Sequence, residues 1–314
     1  MSLRFTLAFA ACLTLASCGG NPFVDSPAPP PGPVVPPGPG AGGVLPLLAG
    51  NLESATYDRA AETLSVVITP LSGSTPTSGT PIVFTRAQGL DTNGFQAFTR
   101  QDTASNRLVI ALFDATAAGT ARAGVAGSGQ FAQPIWGSTY GTTGPNGAFS
   151  RPVDAGSANY SGRYAGILNA GPAVPGPESP FNEPSQLVRT RGDVQLTADF
   201  ASGAVEGGIG NRSVVETGAT LANVFLNIGV INSDGSFGGN VSFRPIGGAL
   251  PLPPPPIPIF PPSPPPIGTY GGTFAGTGGT SAAGAVEINL GGELLERGAF
   301  VVNACGVSQP FPCP

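Results

Sequence analysis

Proline restricts this 314-residue chain more than any other residue type, because it has no N–H to give to a ladder or a helix interior. Of 36 prolines, 10 fall between Pro22 and Pro46 and 11 between Pro251 and Pro266. Neither block can be a helix interior or a central strand. Outside them the chain is β-like. Charged residues are only 10%, and the abundance of Gly, Thr, Ser, Val and Phe suits strands and tight turns. No apolar pattern holds a helical period for more than two turns. The fold class this predicts is all-β.

The first block is preceded by a segment with one positive charge, Arg4, an apolar run from Phe5 to Leu15, and then Leu15-Ala16-Ser17-Cys18. A basic start, a short apolar stretch and small residues before a cut make a secretory signal, predicted here over 1–17. A cysteine directly after Ala16-Ser17 resembles the lipobox of bacterial lipoproteins, in which that cysteine is acylated and becomes the first residue. Cys18 is then the lipid attachment site and the route to the membrane, since two or more acyl chains, palmitate among them, anchor stably at about 0.8 kcal/mol per methylene. The plainer alternative is an ordinary secretory signal with a stray thiol at Cys18. The apolar run falls short of the ~20 residues a membrane-spanning helix needs. Residues 18–45 read as a tether, with Pro29-Pro30-Pro31 and Pro36-Pro37 at its centre, extended at ~3.1 Å per residue.

Missing residue types exclude most chemistry. There is no His and no Lys, hence no Ser-His-Asp arrangement, no imidazole metal ligand, no Schiff-base amine and no phosphate-loop lysine. Without Arg4, 12 arginines face 18 acids, a balance opposite to what nucleic acid requires. The expectation is a non-enzyme with no cofactor and no metal. Cys12 leaves with the signal, so Cys305 and Cys313 remain to form a disulfide around Gly306 and Pro310 in an exported protein. Two free thiols are the alternative.

Strand signals follow in order. Asn51–Tyr57 and Glu62–Ile68 make one hairpin, and Phe95–Asp102 with Arg107–Asp114 another. Gly119–Ser150 reads as short strands and loops, with Trp136 as a core residue. In Asn159–Leu168, Tyr160, Gly162, Tyr164, Gly166 and Leu168 share a face that suits a curved sheet. Asp193–Phe200 alternates, with Val194, Leu196, Ala198 and Phe200 on one side and Gln195, Thr197 and Asp199 on the other. Ala204–Gly210, Ala222–Ile231 and Ser236–Phe243 continue the series across glycine turns. A meander of such hairpins closes most naturally into an antiparallel barrel. Residues 251–266 are then a Pro-rich loop inserted between strands.

The succession YSGRYAGIL (Tyr160–Leu168), DVQLTADFASGAVEGGIGNR (Asp193–Arg212), DGSFGGNVSF (Asp234–Phe243), GTYGGTFAG (Gly268–Gly276) and GAVEINLGG (Gly284–Gly292) resembles the β-barrel domain of transferrin-binding protein B and factor H-binding protein. The resemblance implies a β-rich handle-like domain over 46–157 and an eight-stranded barrel over 158–314. It also implies a lipoprotein at the bacterial outer membrane, on the cell surface. Phe274-Ala275-Gly276-Thr277 stands where the family has a longer aromatic pattern, and Glu287 falls at a structural position. No residue matches a transferrin- or factor H-contacting surface, so host-protein binding is not carried over.

The other motif-like strings are weak. Gly127-Ser128-Gly129-Gln130-Phe131-Ala132 fits a loose dinucleotide pattern but opens no helix, and Asp234 is a turn residue before Gly235. Glu293 and Glu296, beside Arg297, read as a solvated strand end, with an acid pair as the lesser alternative. Two functions remain. One is a non-enzymatic binding protein for a protein or small-molecule ligand; the other is a structural or envelope-assembly lipoprotein without a ligand.

Overall fold

The computed structural model describes residues 44–68, 81–101, 108–128, 136–152, 156–169, 187–243, 266–291, 294–306 and Cys313. Val44 and Leu45, the last two residues of the stretch read as tether, are buried in apolar surroundings. A single helical turn, α1 (Pro46–Ala49), follows and buries Leu48. Proline at its first position costs no bond, since that N–H has no helical partner in any case.

Seven strands come next: β1 (Leu52–Asp58), β2 (Thr63–Ile68), β3 (Ile82–Arg86), β4 (Gln96–Arg100), β5 (Val109–Ala115), β6 (Ala121–Gly127) and β7 (Trp136–Thr142). Each pairs antiparallel with the next in one sheet. Both expected hairpins are present, β1 with β2 and β4 with β5. The sheet curls until its edges meet, because Gly137 of β7 lies against Leu52 and Ala49 where any Cβ would stand 2.5 Å from Leu52 Cβ.

The remaining strands are β8 (Ser157–Asn169), β9 (Leu187–Asp199), β10 (Ala204–Val214), β11 (Val224–Ile231), β12 (Ser236–Phe243), β13 (Gly268–Ala275), β14 (Ser281–Gly291) and β15 (Leu294–Ala304). They form a closed barrel in which β15 returns to β8. Closure leaves no edge strand to protect. Inward positions recur every second residue and carry large side chains, such as Tyr160 and Tyr164 on β8 and Tyr270 and Phe274 on β13. Phe274 is the hub of one end, its ring 4.8 Å from that of Phe237 and 5.1 Å from that of Phe200. Phe149, from the segment joining sheet to barrel, closes the same end over Phe200. Rings of this size fit because glycines face them. A Cβ on Gly298 would sit 2.3 Å from the Tyr164 ring.

Glu296 corrects the sequence expectation. It is not on a solvated strand end but fully buried, because the period that turns Phe300 and Val302 inward turns Glu296 inward too. Its carboxylate accepts from Tyr164 Oη and Thr190 Oγ1, both at 2.7 Å, and pairs with the buried Arg212 guanidinium. Burial and the neighbouring Glu296 push the Tyr164 phenol well above its ordinary pKa. Burial disfavours the Arg212 charge, but Glu296 more than restores it. A charged cluster thus fills one end of the barrel and an aromatic cluster the other.

The sheet covers one outer wall of the barrel. Ala165, Ile167, Ala285, Ala299 and Val301, all outward-facing, share a second core with Leu112, Ala123, Val125 and Tyr140 of the sheet. Strands β8, β14 and β15 are therefore apolar on both faces, which accounts for unbroken runs such as Gly298-Ala299-Phe300-Val301-Val302. Polar clamps flank this core. Asn93 Nδ2 donates to the carbonyls of Tyr164 (3.1 Å) and Gly192 (2.8 Å), and Thr120 and Ser281 share a hydrogen bond of 2.7 Å. Asp114 of β5 is buried between Arg59 of the sheet and Arg163 of β8. Burial, opposed by both guanidinium groups, lifts its carboxyl to a pKa of about 6.

Candidate functional site

The opposite wall is made by β9 to β12, and the sheet side reaches it at the start of β9, where Asn93 donates to the Gly192 carbonyl and Arg189 to the Leu90 carbonyl. Its pleat sends Val194, Leu196 and Ala198 into the barrel, so Asp193, Gln195 and Thr197 point out. Glu206 of β10 lies beside Thr197, and Gly208 and Gly210 lie beside Gln195 and Asp193. From β11 come Phe225, Asn227 and Ile228, and from β12 Asn240. Together these residues line a groove of about 950 Å³. Ile228 is 67% exposed and Val230 40%, which sets an apolar margin on β11 opposite a polar margin on β9.

Local geometry fixes several of these groups. Asn211 has a left-handed φ of 51° beside an irregularity in the β9–β10 register, and its Nδ2 donates to Asp193 Oδ2 at 2.7 Å. Asparagine tolerates that conformation better than most residues. Ser242 Oγ donates to Asn227 Oδ1 at 3.0 Å and holds that amide in place. At Gly210 the floor is bare for no steric reason, since a Cβ there would meet nothing nearer than Asn223 Oδ1 at 4.0 Å; one on Gly208 would press on the Val224 carbonyl at 3.2 Å, and one on Gly207 would stand 2.2 Å from the Gln195 carbonyl.

Electrostatically the groove is one-sided. Asp193 and Glu206 contribute carboxylates, and no arginine is among the described residues lining it. Asp193 pairs in register with Gly210, four positions from Glu206, which at ~3.3 Å per residue separates the two acids by roughly 13 Å of strand. That exceeds the ~5–9.5 Å over which paired carboxylates act on one glycosidic bond. The surface is suited to holding a ligand along its length rather than to concerted acid–base chemistry.

The sequence-predicted residues lie elsewhere. Cys18 falls outside the described residues. Cys305 and Cys313 are bonded to each other, S–S 2.05 Å, and Cys313 Sγ lies 3.7 Å from Ser161 Oγ, setting the end of the chain on β8. Glu287 faces out and pairs with Arg297. Trp136 begins β7. Among the described residues no group of three His, Cys, Asp or Glu could hold a metal, and no helix is long and apolar enough to cross a membrane. The groove residues were visible in sequence as the polar half of the β9 alternation. Nothing local distinguished bare glycines such as Gly210 from those that packing requires.

No protein-family model matches the chain, and no curated protein matches it. Among solved structures it is similar to intact Ap-TbpB with its N and C lobes, at 13% identity over 81% of this chain and 46% of that one, TM-score 0.40. It is similar also to a double mutant of transferrin-binding protein B from Haemophilus parasuis (13% identity, 81% and 44% covered, TM-score 0.41). A third is the isotype 1 protein from serogroup B Neisseria meningitidis (12% identity, 81% and 52% covered, TM-score 0.31). The chain spans about half the length of each. These are structures of the family that the barrel motifs resemble.

Proposed function

We propose that this protein is a non-enzymatic binding protein, anchored to the outer membrane by acylated Cys18 and displayed at the cell surface, which engages its ligand on the β9–β12 wall of the barrel. The observation that carries this reading is the contrast between a packed interior and an open outer groove. Tyr160, Tyr164, Phe237, Tyr270, Phe274 and Phe300 occupy the barrel lumen, so a ligand has to be met outside it. One outer wall is already covered by the seven-stranded sheet. The other offers a concave surface with a few polar groups and apolar side chains beside them, half-buried Phe225 and exposed Ile228, the usual make-up of a binding site. Anchoring rests on Leu15-Ala16-Ser17-Cys18, and the proline block that follows supplies the reach.

The test is protease digestion on intact cells, with a periplasmic protein as control. Digestion without outer-membrane breakage is the expected result, and Cys18→Ala should release the protein from the membrane fraction. Protection until the membrane is opened would overturn the surface assignment and favour a structural role in the envelope.

A further inference from the structure

The geometry points to a neutral oligosaccharide as the ligand of the β9–β12 groove, an assignment that rests on the binding-wall reading above and narrows it to one chemical class. Four features select it. The first is the amide content: Gln195, Asn211, Asn223, Asn227 and Asn240 all line the groove. A primary amide carries two donors and an acceptor in one plane, which matches vicinal hydroxyls that each give and take a hydrogen bond. The second is charge. With two carboxylates and no arginine along the described lining, an anionic ligand would be repelled and would find no bidentate partner. The carboxylates are themselves strong acceptors for hydroxyl protons, and Asn211 already orients that of Asp193.

The third feature is the floor. Gly208 of β10 lies between Gln195 of β9 and half-buried Phe225 of β11, so bare backbone is flanked by an amide on one side and apolar surface on the other, which suits a pyranose with hydroxyls at its rim and C–H groups on its faces. The fourth is the empty space over Gly210. A strand glycine weakens its strand and often marks a place where a ligand approaches the backbone closely. At Gly210 no neighbour forbids a side chain, and its φ lies outside the left-handed region, so neither packing nor backbone conformation explains the residue. The polar groups are spread over roughly 13 Å of strand, the reach of a short chain of sugar rings rather than of one small solute.

The experiment uses the full chain purified in detergent, tested by calorimetry and on an array of neutral oligosaccharides, with sulfated and sialylated glycans and basic peptides as comparison probes. The expected result is saturable binding to at least one neutral oligosaccharide, changed less than twofold between about 0.05 and 0.5 M salt because no ion pair is screened. Gly210→Trp should abolish that binding and Asn223→Ala should weaken it at least tenfold, both with unchanged thermal unfolding. Binding that survives both substitutions overturns the site. A blank neutral set, or salt-sensitive capture of basic peptides alone, overturns the ligand class. Protease accessibility on intact cells is scored separately. An accessible protein with a blank array loses only the saccharide assignment, whereas a protected one loses the surface reading whatever the array gives.

Discussion

On the wall formed by β14, β15 and β8 the outward positions hold Ala283, Ala285, Ala299, Val301, Ala165 and Ile167, all buried beneath the sheet. On β9 and β10 the same outward phase of the pleat holds Asp193, Gln195, Thr197 and Glu206, at a groove. One closed barrel therefore has two outer walls built on the same period, one apolar because the sheet covers it and one polar where Gln195, Thr197 and Glu206 stay exposed. The inward set is alike on both, Tyr164 and Phe300 on the first wall and Val194 and Leu196 on the second. What the walls teach is that the inward residues make the barrel and the outward residues decide what it meets.

The sharpest way to break this comparison is to put the same charge on each wall. Ala285→Glu would place a carboxylate with no partner in the shared core, and a loss upwards of about 4 kcal/mol is expected. Gln195→Glu on the open wall should change stability by no more than ~0.5 kcal/mol. Chemical denaturation of both variants gives the numbers. If the two losses were alike, the wall beneath the sheet would not be a packed interface.

Next in size is the barrel's own charged end. Glu296→Ala leaves the Arg212 guanidinium buried without its carboxylate and should cost about 3 kcal/mol. Arg212→Met combined with Glu296→Leu removes both charges and should recover most of that loss. A double variant as unstable as the single one would mean that the cluster holds the barrel's shape by its hydrogen bonds to Tyr164 and Thr190 rather than by its charge balance.

The clamp between sheet and covered wall should show in the pH dependence of stability. Asp114 titrates in the fold at about 6, raised from 3.8 by burial in spite of Arg163 and Arg59. A carboxyl raised in the folded state favours folding while protonated. Its contribution is present in full below pH ~4 and is lost as pH rises through about 6, an amount on the order of 3 kcal/mol. Asp199 and Asp234, held low by Ser202 and Ser236 respectively, work in the opposite sense at more acid pH, so the useful quantity is the difference between the native chain and Asp114→Asn. That difference should fall between pH 4 and 6, and a flat difference would remove Asp114 as a titrating clamp.

Much of the barrel was legible because a half-buried strand writes its period plainly. Val194-Gln195-Leu196-Thr197-Ala198 gives its faces without ambiguity. The strands buried on both sides did not alternate, so Ala299 and Val301 gave no hint that a sheet covers them. Short β3, whose Val83 is 65% exposed, carried no signal because little of it is buried. Glu296 was misplaced for a related reason. A carboxylate beside Arg297 looks solvated, and its true partner Arg212 lies 84 residues away in sequence. The groove was legible only as a polar face, since concavity depends on how β9, β10 and β11 curve together.

The smallest expected effect separates two kinds of glycine, and with them the two walls. Gly298→Ala would drive a methyl group into the Tyr164 ring, at 2.3 Å in the present geometry, and should destabilise by about 2 kcal/mol. Gly210→Ala meets nothing nearer than 4.0 Å and keeps an ordinary backbone, so it should stabilise by about 0.5 kcal/mol through the unfolded chain alone. Thermal unfolding of the two variants side by side decides the point. A Gly210→Ala protein that is more stable yet binds less well would mean that the open wall keeps its floor bare for a ligand at some expense to the fold. A Gly210→Ala protein destabilised by 1 kcal/mol or more would make that glycine a structural residue like Gly298, and the bare floor would then say nothing about what the wall meets.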